Sequence, residues 1–137
     1  MNLTPYFKSI IDQDTAVVVI CNLKHEILYM NPKAVENYHK WGGEALVGKC
    51  LMNCHNPKSK EMIEKVIAWF QEDKGHNQIH TFYNEKQAKD VYMVALRDED
   101  GTLINLSCYL VCWLLPRTRF HNVYSPPCVQ AFRQAND

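Results

Sequence analysis

Ile27-Leu28-Tyr29-Met30-Asn31-Pro32-Lys33-Ala34 holds a strand end, a cap and a helix start in eight residues. Apolar, β-prone residues run to Met30. Asn31 then offers a side-chain oxygen to the free amides of a helix, and Pro32 suits the first helical position, where an N–H would have no partner. Ala34, Val35 and Tyr38 carry that helix forward, and it ends before Gly42-Gly43. Upstream, Ala16-Val17-Val18-Val19-Ile20-Cys21 is β-branched, too short for a typical helix and followed by the turn-prone Asn22-Leu23-Lys24-His25-Glu26. It predicts a buried strand, with Ile27 to Met30 as its hairpin partner. At the start of the chain Thr4-Pro5 is read as an N-cap and first helical residue, and Tyr6, Phe7, Ile10 and Ile11 give an apolar stripe on a short amphipathic helix.

Downstream, Asn56-Pro57 repeats the same device and opens the longest helix. Met62, Ile63, Val66, Ile67 and Phe70 recur there at helical spacing, while Lys60, Glu61, Glu64 and Lys65 take the other face. Gly75 marks the region of its end. Strands are expected over Gln78 to Tyr83 and Lys89 to Arg97. The turn Asp98-Glu99-Asp100-Gly101 follows, its glycine supplying a positive φ, and a fifth strand starts at Thr102. Two hairpin strands, short helices, one long helix and a three-stranded meander make an α+β pattern with an antiparallel sheet.

The 137 residues suit one core. Fifteen basic against fifteen acidic residues leave no net field to draw nucleic acid or an anionic membrane. Apolar runs such as Ala16 to Cys21 and Leu110 to Leu115 fall far short of the roughly 20 residues that span a bilayer. Met1-Asn2-Leu3-Thr4-Pro5 lacks the basic and apolar regions of a signal peptide, so a cytoplasmic protein is expected. There the six cysteines (Cys21, Cys50, Cys54, Cys108, Cys112, Cys128) are expected to be buried thiols rather than disulfides. Fourteen of the fifteen acidic residues lie at or before Asp100, and Pro116 to Asp137 has three prolines and no periodicity. We therefore expect an N-terminal helix over 1–13, one domain over 14–115 and an irregular tail over 116–137.

Tyr29-Met30-Asn31-Pro32-Lys33-Ala34, followed by Gly43-Glu44-Ala45-Leu46-Val47-Gly48-Lys49 and later by Asp100-Gly101, resembles the PAS family of sensor domains. The resembling features are an asparagine after the second strand (Asn31), a small residue after it (Ala34), a "liGk" segment before the long helix (Leu46 to Lys49) and an Asp-Gly turn before the last strand. The resemblance covers residues 14 to about 104. It implies a PAS-like five-stranded antiparallel sheet with short helices and one long helix on one face, forming a cup for a ligand or partner. The run Leu106 to Leu115 departs from the family, whose domains usually finish in one amphipathic strand and a polar linker.

Cys50-Leu51-Met52-Asn53-Cys54-His55-Asn56-Pro57 concentrates thiols and an imidazole just ahead of the long helix, which in the family walls the pocket. By resemblance to haem-binding bacterial PAS sensors, His55 would offer a neutral nitrogen to haem iron. The plainer alternative is that it hydrogen-bonds a loop carbonyl. The implied cofactor wall is Cys54, His55, Met62, Ile63, Val66, Tyr29 and Met93, with Phe70 pure core. Gly48-Lys49-Cys50-Leu51-Met52-Asn53-Cys54 resembles the flavin-binding LOV motif imperfectly. Its first cysteine is one place early and the flavin-holding arginine and glutamine are missing, so flavin is not expected. Zinc on Cys50, Cys54, His55, Cys108 and Cys112 is disfavoured by spacing. The remaining histidines (His25, His39, His76, His80, His121) are expected mostly in solvent, with His39 and Trp41 near the cup entrance. No phosphate loop or nucleophile elbow suggests an enzyme, and Cys54 beside His55 is a poor dyad because neighbours rarely aim at each other.

The leading expectation is a cytoplasmic PAS sensor for a small hydrophobic or planar ligand, haem included. It would act as a homodimer on a separate effector protein, with neither nucleic acid nor membrane as partner. The rivals are a ligand-free homodimerisation module using the N-terminal helix and the closing strand, and a redox or metal switch at Cys50 and Cys54.

Overall fold

The computed structural model describes residues 1–111, with the backbone alone for Cys54 and for 108–111. In chain order the elements are α1 (Thr4–Gln13), β1 (Val17–Asn22), β2 (Ile27–Met30), α2 (Pro32–Asn37), three single-turn 3₁₀ segments (His39–Trp41, Gly43–Leu46, Leu51–Cys54), α3 (Pro57–Glu72), β3 (Gln78–Asn84), β4 (Lys89–Arg97) and β5 (Leu103–Val111). The expected tail over 116–137, the domain limit at 115 and Cys112, Cys128 and His121 lie outside the described residues. So do the thiols of Cys54 and Cys108.

All pairings are antiparallel and the sheet order is β2-β1-β5-β4-β3. The last strand therefore inserts beside the first, and the chain's two halves meet at the β1–β5 pair. One expected start shifts. Leu3, not Thr4, caps α1, because the Leu3 carbonyl already accepts from the Tyr6 and Phe7 amides, while Asn2 Oδ1 takes the Thr4 amide. The apolar stripe of α1 is real, but no residue of that helix is buried. The helix after Asn31 is also shorter than its sequence suggests. It closes at Asn37 and relaxes into 3₁₀ turns around Gly42 and Gly43, whose φ values of 121° and 53° end α-helical progress.

Asn31, wholly buried, does far more than cap α2. Its Oδ1 accepts from the Ala34 and Val18 amides at 2.9 and 3.0 Å, and its Nδ2 donates to the Ile11 and Ala16 carbonyls at 3.0 and 2.9 Å. One amide thus binds the end of α1, the start of β1 and the first turn of α2. At the opposite end of the domain Arg97 has a similar role. Its guanidinium donates to the carbonyls of Phe70 in the last turn of α3 and of Asp73 and His76 beyond it, to Gly101 O in the β4–β5 turn and to Asn77 Oδ1. A cation is well placed there, because the last carbonyls of a helix lack intrahelical partners and carry the negative end of its dipole.

The core is in two parts. Met62, Ile63, Val66, Ile67 and Phe70 of α3 pack on Ile79, Met93, Ala95, Leu103 and Leu106 of the sheet. Val17, Val19, Cys21, Ile27, Met30, Ala34, Leu46 and Val91 form a second cluster under α2. Burial of each such side chain contributes about 1.5–3 kcal/mol. Leu51 touches both clusters.

Candidate ligand-binding site

Between the two clusters lies a cavity of about 530 Å³. Strand alternation and helical spacing build its walls. Val19, Ile27 and Met30 come from β1 and β2. Thr81, Phe82 and Asn84 come from β3, and Val91 and Met93 from β4. Ser59, Met62 and Ile63 form one face of α3, and Tyr38, Trp41, Leu46, Leu51, Asn53 and His55 lie on the irregular chain between α2 and α3. Among the described residues lining it there is no Asp, Glu, Lys or Arg. The Thr81 hydroxyl is committed to the Val91 carbonyl at 3.0 Å.

His55 closes the third 3₁₀ segment, and its Nδ1 lies 2.9 Å from the Leu51 carbonyl. A carbonyl can only accept, so Nδ1 carries the proton and the lone pair falls on Nε2. The plain role, a hydrogen bond to a loop carbonyl, is the one seen, and the ring also lines the cavity. The 3₁₀ segment is fixed in turn, since the Leu51 amide donates to His25 O at 2.7 Å, and His25 Nε2 meets Glu64 Oε1 of α3 at 3.1 Å.

Of the expected wall residues, Met62, Ile63, Met93 and His55 meet at the cavity. Tyr29 does not. Met30 faces inward, so its strand neighbour points the other way, and the Tyr29 hydroxyl instead donates to the Asp12 carboxylate of α1. Val66 does not line it either: one turn beyond Met62, it is fully buried against the sheet. Phe70 is core, as expected. Trp41 reaches the cavity, whereas His39 lines a separate surface cleft with Glu36, Asn37, Lys40, Trp41 and Gln87. Of the histidines expected in solvent His39 is exposed, while His25, His76 and His80 are half-buried and partnered. His25 holds Glu64, His80 meets Asp90 at 2.7 Å, and His76 stacks on Trp69 at 4.1 Å while donating to its carbonyl. Val91 on β4 carried a signal in its period-2 alternation with Met93, but the adjacent Thr81 and Phe82 on β3 both reach the cavity because the strand register shifts between His80 and Phe82. The missed lining residues before α3 carried none, because irregular chain has no period.

Glu36 and Glu61 have carboxyls held below the usual range by the hydrogen bond and charge of Lys33 and Lys65 respectively. Both are exposed and neither lines the cavity. Among the described residues no cluster of three His, Cys, Asp or Glu side chains could hold a metal ion, and no helix is long and apolar enough to cross a membrane.

The fold of this chain, a five-stranded antiparallel sheet with a few helices, is similar to that of several solved structures. The PAS domain of a protein from Colwellia psychrerythraea matches with a TM-score of 0.58 at 15% identity, over 82% of this chain and 98% of that one. The PAS domain from Bordetella pertussis BvgS matches with a TM-score of 0.56 at 12% identity, over 100% and 96% of the two chains. The chain has the PAS fold. A sensory box sensor histidine kinase from Vibrio cholerae shows the PAS likeness as well, with a TM-score of 0.52 at 16% identity over 78% of this chain and 89% of that one. The sequence matches no family model and no curated protein. At these identities the likeness is one of fold, which this chain shares with signalling proteins.

Proposed function

We propose that this PAS domain is a sensor that holds a small, mostly apolar ligand between α3 and the sheet and signals through a change in its association with another protein. The observation that carries this reading is the divided core. Interiors normally pack to crystal-like density, yet here about 530 Å³ separates two apolar clusters that a few larger side chains would have joined. That size lies within the range of small-molecule pockets, roughly 300–1,000 Å³. The uncharged lining selects a ligand whose buried part is uncharged, since an unpaired charge would lose its hydration without compensation. Binding shifts the balance between two arrangements of the domain only by the difference in its affinity for them.

Haem is a planar occupant that would also use the imidazole of His55. Its donor chemistry fits: the Nδ1–H of His55 is tied to a carbonyl, the usual orienting device for a metal-binding imidazole, and leaves Nε2 as the ligating atom. When bound, haem would supply an iron centre responsive to gases or redox state. Met62, Ile63 and Met93 would flank the ring and exclude water. The test is a visible-absorption titration of the chain with haem, beside a His55→Ala variant. A saturable Soret band lost or shifted in the variant is the expected result. With no saturable change, haem is removed, and native mass spectrometry of the purified chain then looks for a colourless occupant.

A second reading is favoured by a separate observation. Tyr6, Phe7 and Ile10 on α1 are 62%, 57% and 67% exposed, an apolar face of the kind that pairs two copies of a chain. It makes the domain a ligand-free homodimerisation module. Sedimentation would then show a dimer that Ile10→Glu disperses, and the cavity would bind nothing.

A further inference from the structure

Three lining residues are exposed and mark the mouth of the cavity: Trp41, Asn53 and Phe82. Two are aromatic, with Trp41 62% and Phe82 42% exposed. Phe82 belongs to β3 and is fixed there by its pairing with Val91. Trp41 is held differently. It ends a three-residue 3₁₀ turn, anchored by its own amide on Tyr38 O at 3.0 Å, and the next two residues are Gly42 and Gly43 at positive φ. Its ring has the tilted Tyr38 ring as an aromatic neighbour at 6.2 Å. The same indole lines both the inner cavity and the outer cleft of Glu36, Asn37, His39, Lys40 and Gln87, so it stands as the partition between them.

The geometry points to Trp41 as the gate of the cavity, its exposed indole turning aside to admit a ligand and closing over it toward Phe82. This inference rests on the ligand-binding reading above and adds the route of entry. A large apolar ring left in water at the mouth of an apolar cavity loses exposed surface by closing, so an occupied cavity favours the closed position. The backbone after Trp41 is held, since the Gly42 and Gly43 amides donate to His39 O and Tyr38 O at 3.2 and 3.1 Å, so the movement belongs to the side chain.

The test follows binding of 1-aminoanthracene, a neutral planar dye that brightens in apolar surroundings, by stopped-flow fluorescence to the full chain and to Trp41→Ala and Trp41→Phe. Far-UV circular dichroism checks folding, and Ile63→Phe, which fills part of the cavity, assigns the dye to it. A gate is expected to slow entry and exit together, so Trp41→Ala should raise both rate constants by about tenfold while the dissociation constant moves much less, with Trp41→Phe between. Dye admitted by Trp41→Ala and refused by the parent chain also supports the gate. An unchanged association rate overturns it and leaves the ligand-binding reading intact, since a residue that is only wall alters dissociation alone. Dye bound by neither chain overturns both.

Discussion

Replacing Asn31 by alanine should be the most damaging single polar substitution in the domain. The side chain is wholly buried and makes four hydrogen bonds, to Val18 N, Ala34 N, Ile11 O and Ala16 O. Three of those bonds are buried and the one to Ile11 is partly so. Alanine takes this partner from the Val18 and Ala34 amides and the Ala16 carbonyl, while Ile11 O keeps the Asp14 amide, at about 1–3 kcal/mol for each buried group left unpaired. Loss of the cap on α2 is contained within that sum and by itself costs about 1 kcal/mol. A water entering the vacated space would satisfy some of the orphans, so the expected loss is about 3–5 kcal/mol, at the top of the range for point substitutions. Urea unfolding followed by circular dichroism, with the slope checked for constancy, measures it. Asn31→Asp sharpens the test, because it keeps both accepting bonds and turns a carboxylate oxygen toward the two carbonyls. Burial there raises the carboxyl's folded pKa above its unfolded value. The variant's deficit should therefore shrink as pH falls and grow as pH rises through the unfolded pKa. A loss under about 1 kcal/mol for alanine would refute the reasoning, because that is the worth of one exposed cap and not of a buried hub.

Arg97→Ala should cost about 2–4 kcal/mol and Arg97→Lys more than half as much, since an ammonium cannot span five acceptors set in a fork; equal stability of the lysine variant to the parent in urea melts would contradict the geometry. Phe70→Ala removes a fully buried ring and is expected to cost about 3–5 kcal/mol, while Ile10→Ala on exposed α1 should stay within about 0.5 kcal/mol when measured on the monomer. Glu36 and Glu61 have depressed pKa values in the folded state, so their contribution is present above the unfolded carboxylate pKa and is lost as pH falls through the folded one. Because both are exposed, Lys33→Ala and Lys65→Ala should leave the acid limb of the melting-temperature profile nearly unchanged, and a large shift would show that these pairs are less screened than their exposure implies.

Local chemistry dictated the elements of this chain, and the sequence is explicit where local chemistry decides. The β-branched run before Asn22, the paired Asn-Pro caps and the helical spacing of Met62 to Phe70 place β1 and the starts of α2 and α3 almost to the residue, and Gly101 takes the φ of 81° that its turn requires. The ordered PAS-like segments around Asn31, Gly48 and Asp100 carried the fold. Four of the cavity residues, His55, Met62, Ile63 and Met93, were legible because each sits at a defined place on or beside a periodic element. Tertiary structure alone decided the rest. Whether Tyr29 or Met30 faces inward depends on how β2 is laid against β1, and a one-residue difference in facing sends the side chain to the opposite side. Met62 is both core and wall and Val66 core alone, because both pack on the sheet but only the earlier turns of α3 border the cavity. Asn31 gains three of its partners from residues thirteen, fifteen and twenty positions earlier in the chain, and Arg97 gathers acceptors up to 27 positions away. The open space between two apolar clusters has no sequence signature at all, because a cavity is a failure of distant side chains to meet, and only the assembled fold fixes which of them could have met.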